Sequence, residues 1–509
     1  MERKNYTVAV DLGCSSVVVA VGERTPEGLL DVVSVVSKPV EGVRAGRIEN
    51  IEQVSSAIRQ AVTETEEKLN IRITEAYAGI SGEFVRCARH TDHVFVYDPQ
   101  NGVNQKDVDA LFDRMRNVQA PDDETIMERV PQNYVVDDDQ EVRNPVGSFG
   151  KKLSSTFNFI LCQKTPMQRL DMALKRLGIR LVGVVSDAMA TPEAVLLPDE
   201  KEEGIAVVDI GAGVTDVTVY YRNVIRYIAS IPMGATAINR DIRTMSVPEK
   251  LVESLKLKYG SAVADLAPED KLVRVNGRTP REAKDILLRN LATVIEARAM
   301  DIVEFVQQEI KDSGFAEKLA YGIVLTGGCA KLKHLDELFR RVTGMDVRVA
   351  LPEMGITEGS KAKVADPALS TVVGILLHGA ELGGCAVIER PVAPQQPAAT
   401  PTASVATPNT ATPNPSPMPG LRRPYTPTPP APESFRHVPP RQQPQPTPSP
   451  ATPLQPQAES ELENDAPEHD PQPAPQPAEQ RRRRDLSSFL HKTLETINKK
   501  FSAAEDEEI

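Results

Sequence analysis

No run of eighteen apolar residues occurs in the 509-residue chain, so no helix of membrane-spanning length is predicted. There is no CxxC pair. The five cysteines (14, 87, 162, 329 and 385) stand far apart with no histidines beside them, which indicates neither a zinc site nor a disulfide framework. Excess positive charge is also missing: the formal net charge of −12 argues against a dedicated nucleic-acid binder. The opening MERKNYTVAV passes from charged residues straight into a strand pattern without a signal-peptide core, which leads us to expect a cytoplasmic protein. What the chain does have is length, enough for several domains.

Residues 207–219 read VVDIGAGVTDVTV, two β-branched runs around Asp, glycines, Thr and a second Asp. The flanks predict strands and the middle a tight turn that lets another group approach the backbone. Alone, this reads first as a plain hairpin with an acidic turn. The N-terminal YTVAVDLGCSSVVVAVGER repeats the arrangement, with Asp11, Gly13, Cys14, Ser15 and Ser16 paralleling Asp209, Gly211, Ala212, Gly213 and Thr215. Two such units suggest a duplicated domain facing itself across a cleft. Backbone N–H groups of the facing turns could cradle phosphates, and Asp11 and Asp209 could hold a hydrated Mg²⁺.

A third stretch, YGIVLTGGCAKLKHLDELFRRV, predicts a strand, a turn at Gly327 and Gly328, and an amphipathic helix carrying leucines 332, 335 and 338. Cys14 and Cys329 fall inside these turns, where small-residue packing suits them better than a reactive role. In VPEKLVESLKLKYG, Glu253 and Lys256 share a helix face at spacing i, i+3, as a surface ion pair also would.

Composition changes sharply near residue 391. Of the 42 prolines, 27 lie in the ninety residues 391–480, which cannot bury a core and predict a disordered spacer. As a flexible coil it would span roughly 50–60 Å. Beyond it, RRRRDLSSFLHKTLETINKKFSAAEDEEI places Leu486, Phe489, Leu490, Leu494, Ile497 and Phe501 on one helical arc of about 140°. Arg481, Arg482, Arg483 and Arg484 precede it. A polybasic run beside an amphipathic helix fits an anionic membrane interface, with a partner-binding helix as the rival reading.

Strand-turn-strand twice, then strand-Gly-Gly, resembles the actin-like ATPase superfamily. Between the first two motifs lie GISGEFV, a helix-like DVDALFDRMRNV and VPQNYVVDDDQEVRNPVG, then DAMATPEAVLLPDEKEEGIAVVDIGAGVTD. This order resembles the FtsA family of bacterial cell-division proteins over roughly residues 5–382, and the terminal helix after a linker matches as well. The implied fold class is α/β, an actin-like two-lobed ATPase with an inserted small α+β domain. The implied parts are 1–82 with 166–200 as the first lobe and 83–165 as the insertion. The second lobe would be 201–230 with 310–385, and 231–309 its small domain. A disordered Pro-rich linker, 386–480, and the amphipathic membrane-targeting helix with its acidic end, 481–509, would follow.

The resemblance further implies ATP and Mg²⁺ as ligands, filaments of the chain itself on the inner face of the cell membrane, and attachment of the FtsZ ring and other division proteins. Asp11 and Asp209 would lie near the cation. Gly13, Cys14, Ser15 and Ser16 would form the first phosphate turn, and Gly211, Ala212, Gly213 and Thr215 the second. Gly327, Gly328 and Cys329 would lie on the nucleoside side, with Glu253 and Lys256 at ribose and base. The partner surface would fall in about 231–309. Asp187 stands where many relatives carry a water-activating Glu, so strong binding with weak or negligible hydrolysis is expected. A pilus-assembly scaffold would not need the basic tail, a cell-shape scaffold would lack the insertion, a chaperone would need a β-sandwich, and a small-molecule kinase would need further catalytic acids.

Overall fold

The computed structural model describes residues 6–389 apart from 139, 277–282 and 386; the predicted linker core and terminal helix lie outside the described residues. The N-terminal β-branched runs form a sheet of order Arg180–Ser186, Glu75–Ile80, Tyr6–Leu12, Ser16–Arg24, Leu30–Pro39. The last three strands pair antiparallel as consecutive hairpins, and the first three are parallel. Residues 17–22 are buried without alternation, as in a strand covered on both faces.

The same order and the same strand directions recur in the second half. Val224–Ile231, Thr215–Tyr221 and Ile205–Ile210 are antiparallel, and Ile323–Thr326 and Val347–Val349 continue parallel to the last of them. The duplication inferred from two motifs is therefore a duplication of two five-stranded sheets. Helices Ala235–Thr244, Glu249–Tyr259 and Leu288–Asp312 and the hairpin Leu272–Val275/Lys284–Leu287 are added to the second sheet.

Between the lobes in sequence, Val85–Phe95, Glu124–Val136, Gln140–Val142 and Lys152–Gln163 form a separate antiparallel sheet. Helix Gln105–Arg116 packs on it, with Phe112 edge-to-face against Phe157 at 5.1 Å. A capping box starts this helix: the Asn104 side chain accepts the Lys106 N–H, and Asp107 accepts the Asn104 N–H at 2.9 Å. The insertion is bonded to the second lobe. Asn158 Nδ2 donates to the Arg226 carbonyl (2.8 Å), and the buried Arg226 guanidinium donates to Gln132 (3.3 Å) and Asn133 (3.1 Å).

Three expectations need correction. The segment from about 350 to 385 does not stay with the second lobe: Ile356, Val364, Val372, Val373, Ile375 and Leu376 join the first lobe's core. Helix Ser370–Glu381 is drawn there because Gly374 lets it meet helix Asp187–Val195 backbone to backbone; a Cβ on Gly374 would lie 2.0 Å from the Ala190 carbonyl oxygen. The folded part also runs past 385, since Val387–Glu389 pairs antiparallel with Ile71–Ile73. Finally, the helix after Gly327-Gly328 starts only at Leu335. A 3-10 turn, Gly328–Lys331, comes first, and His334 takes a left-handed φ of 61° with its ring bonded to Ser261 at 2.9 Å.

Candidate functional site

The two glycine turns close with the same hydrogen bond. Gly13 N–H donates to the Ser16 carbonyl at 3.0 Å, and Gly211 N–H donates to the Val214 carbonyl at 2.9 Å. They also meet: a Cβ on Gly213 would stand 2.7 Å from Cys14 Sγ, so a side chain there would force the turns apart. Cys14 Sγ accepts the Gly46 N–H at 3.3 Å, and burial raises its pKa, with nearby Asp216 adding to the effect. Cys329 is buried and pushed up to about 11, again mainly by burial. Both are packed thiols rather than activated thiolates.

Where the sheets end at these turns, four carboxylates influence one another: Asp187, Asp209 and Asp216 are buried and Asp11 is half-buried. Asp11 ends strand Tyr6–Leu12; burial, then Asp209 and Asp216, push it up to about 7. Asp187 opens helix Asp187–Val195; burial and then the charges of Asp11, Asp216 and Asp209 raise it well above the usual carboxylate range. Its Oδ1 is buried without a hydrogen-bond partner, and Gly79 leaves the space it occupies, since a Cβ there would lie 2.1 Å away. Asp209 is raised by burial, opposed by the hydroxyls of Thr371 (2.7 Å) and Thr191 (3.1 Å) donating to its Oδ2. Asp216 reaches about 7 through burial, opposed by donation from Ser230 and from Ser81, whose Oγ lies 2.6 Å from Oδ2.

Asp11, Asp187 and Asp209 are thus brought together, and Asp216 joins them. Asp216 stood in the opening motif, but a lone acid in an alternating strand reads as solvent-facing; its burial at 6% exposure was the missing information. Ser81, Thr191, Ser230 and Thr371, the hydroxyls holding these acids, carried no spacing signal. Thr215 turns away from the cleft: fully buried, it donates to the Met233 carbonyl at 2.9 Å. The Ala212 carbonyl is held by Thr236, through its N–H (2.8 Å) and its hydroxyl (2.7 Å).

Gly327, at φ 84°, fits beneath Asp209, where a Cβ would come within 2.2 Å of Oδ1; at Gly328 a Cβ would make ordinary contact with Ala368 at 3.8 Å. Lys256 is buried and ion-pairs with Glu253 at 2.9 Å across one turn of helix Glu249–Tyr259. Burial works against the Glu253 charge, but donors from Asn239 and Lys256 prevail and hold its pKa below the usual value. Both charges act on Cys329, so this helix and the Gly327 turn adjoin. The membrane set, Arg481 to Arg484 and Leu486 to Phe501, lies outside the described residues.

The carboxylate and hydroxyl oxygens gathered here are hard donors, the kind Mg²⁺ prefers. Among the described residues no three acid, His or Cys side chains converge closely enough to bind a metal directly. An ion held here would be held through its waters, and the unpartnered Asp187 Oδ1 is an acceptor open to one of them.

The family profile described as "Cell division protein FtsA" matches residues 206–374, and "SHS2 domain inserted in FTSA" matches 82–161. The cell division protein FtsA of Pseudomonas aeruginosa is 32% identical over 373 residues, covering 73% of this chain and 88% of that protein. FtsA of Neisseria meningitidis serogroup B is 32% identical over 386 residues, covering 75% and 92%. A solved PilM-PilN type IV pilus biogenesis complex shares the fold, with a TM-score of 0.52 at 14% identity over 73% of this chain and 98% of that one. Duplicated lobes, an inserted α+β domain and this degree of identity together make the chain a member of the FtsA family of cell-division proteins, with the actin-like two-lobed fold.

Proposed function

We propose that the cleft binds ATP with Mg²⁺, and that the bound chain polymerises at the inner face of the cell membrane and tethers the FtsZ ring there. The observation that supports this most is the meeting of two equivalent glycine turns beside four mutually interacting carboxylates, three of them buried. Four acids that repel one another in a dry site are a poor structural choice, but a good receptor for a cation carrying phosphates. Asp11, Asp187, Asp209 and Asp216 would hold the hydrated ion, which neutralises phosphate charge when bound. Free N–H groups of the two turns would cradle the phosphates, and Glu253 and Lys256 would meet the sugar and base.

Turnover is slow in this reading. Asp187 is the residue placed to accept a proton from water, and its side chain, one methylene shorter than Glu, reaches less far toward that water. Membrane attachment would come from the amphipathic segment 481–509, and FtsZ would meet the small domain at 231–309. Isothermal titration with Mg·ATP tests the cleft. Asp209→Asn should weaken binding at least tenfold while the melting temperature changes little; unchanged affinity in a folded variant would remove the proposal. Co-sedimentation with FtsZ filaments and anionic liposomes, with and without ATP, tests the tether.

A further inference from the structure

Away from the cleft, the first lobe carries an open cavity of about 560 Å³, within the ~300–1,000 Å³ range of ligand-sized clefts. Three arginines surround it: Arg59 from helix Ile51–Leu69, Arg72 from strand Ile71–Ile73, and Arg176 just after helix Lys164–Lys175. Arg176 is paired with Glu52. Among the described residues, Arg59 and Arg72 have no ion-pair partner, although the chain as a whole is strongly acidic. The acid in the lining, Glu66, is already engaged, its Oε1 accepting the Ile73 N–H at 2.8 Å.

Between these charges the floor is aliphatic. Val62, Ile73 and Ile179 are buried beneath it, while Ile388 is 56% exposed. Ile388 stands directly opposite Arg72 in the antiparallel pair Val387–Glu389/Ile71–Ile73, so the two side chains share a face. Two unpaired guanidinium groups around an exposed aliphatic surface match a ligand that is anionic and apolar at once. Each planar fork can take a carboxylate with two parallel hydrogen bonds. A bare phosphate would satisfy the charges but leave Ile388 in water.

We propose that this cavity binds an acidic peptide of a partner protein, with carboxylates on Arg59 and Arg72 and an aliphatic side chain against Ile388. The site is separate from the nucleotide cleft and does not depend on it.

Selection of phage-displayed random peptides on the full chain, followed by fluorescence anisotropy with the enriched synthetic peptide, tests the proposal. The enriched peptides should carry acids flanking an aliphatic residue. Arg59→Glu with Arg72→Glu should weaken binding about a hundredfold, roughly tenfold for each charged hydrogen-bonded contact. Ile388→Asp should weaken it about tenfold. Both arginines are exposed, so the melting temperature should hold; the Arg59→Gln/Arg72→Gln pair gives the same test without charge reversal. Selection of peptides without acids, or equal affinity in the double variants, would overturn the assignment. Displacement of the peptide by equimolar inorganic phosphate would also overturn it, in favour of a small-anion site.

Discussion

Replacing Asp216 by Asn should make the nucleotide-free protein more stable at pH 8, although it removes a residue of the proposed cation site. Burial lifts the Asp216 carboxyl from 3.8 to about 7 despite donors from Ser81 and Ser230. A raised pKa means that the folded state favours the protonated acid. The resulting stability is fully present below about pH 4 and is lost as pH rises through 7. A shift of about three units corresponds to about 4 kcal/mol at 1.36 kcal/mol per unit, an upper bound for this site. The amide returns a single acceptor to two hydroxyl donors, so a gain of about 2 kcal/mol at pH 8 is the realistic expectation. Hydrogen exchange at the amides of strand Thr215–Tyr221 measures this locally, which a chain of several domains requires. The advantage of Asp216→Asn over the unmodified chain should grow from pH 5 to pH 8, while Mg·ATP affinity falls. An advantage independent of pH, or a loss at pH 8, would refute the idea that the acids are held under electrostatic strain.

Arg226→Ala should loosen the insertion specifically: leaving Gln132 and Asn133 without their buried donor costs about 1–3 kcal/mol, read as faster exchange along Glu124–Val136 with the first-lobe sheet unchanged. Uniform destabilisation would mean that Arg226 supports only its own lobe. In the terminal segment, Phe489→Glu should release the protein from anionic liposomes, since burying one such ring is worth about 1.5–3 kcal/mol. Neutralising Arg481 to Arg484 should weaken binding less, and mainly at low salt; liposome binding that survives Phe489→Glu would point to a protein-docking helix instead.

The parts visible in the sequence were those set by local rules. Strands covered on both faces need unbroken β-branched runs, and tight turns between them need glycine, so Val17–Val21 and Asp209–Gly213 declare themselves. Glu253 and Lys256 were visible through helical spacing, and their ion pair follows. What escaped depends on distant partners. Nothing local separates a buried strand acid such as Asp216 from an exposed one. Nothing in STVVGILLHGAE says which lobe it will cover, because that is decided by Gly374 meeting Ala190. The late start of the helix at Leu335 rests on His334 finding Ser261, seventy-three residues earlier in the chain.

The contact between helices Asp187–Val195 and Ser370–Glu381 has a mechanical consequence. With the Gly374 Cα lying against the Ala190 carbonyl, neither helix can slide along the other without backbone overlap, so relative movement there is limited to rolling. The crossing is then a fulcrum. Asp187 opens one of these helices and Thr371, which holds Asp209, lies in the first turn of the other. The carboxylates therefore sit where displacement is least, and the periphery sits at the end of a lever. A change of charge that tilts these helices by a small angle at the acids is delivered as a larger displacement at their far ends.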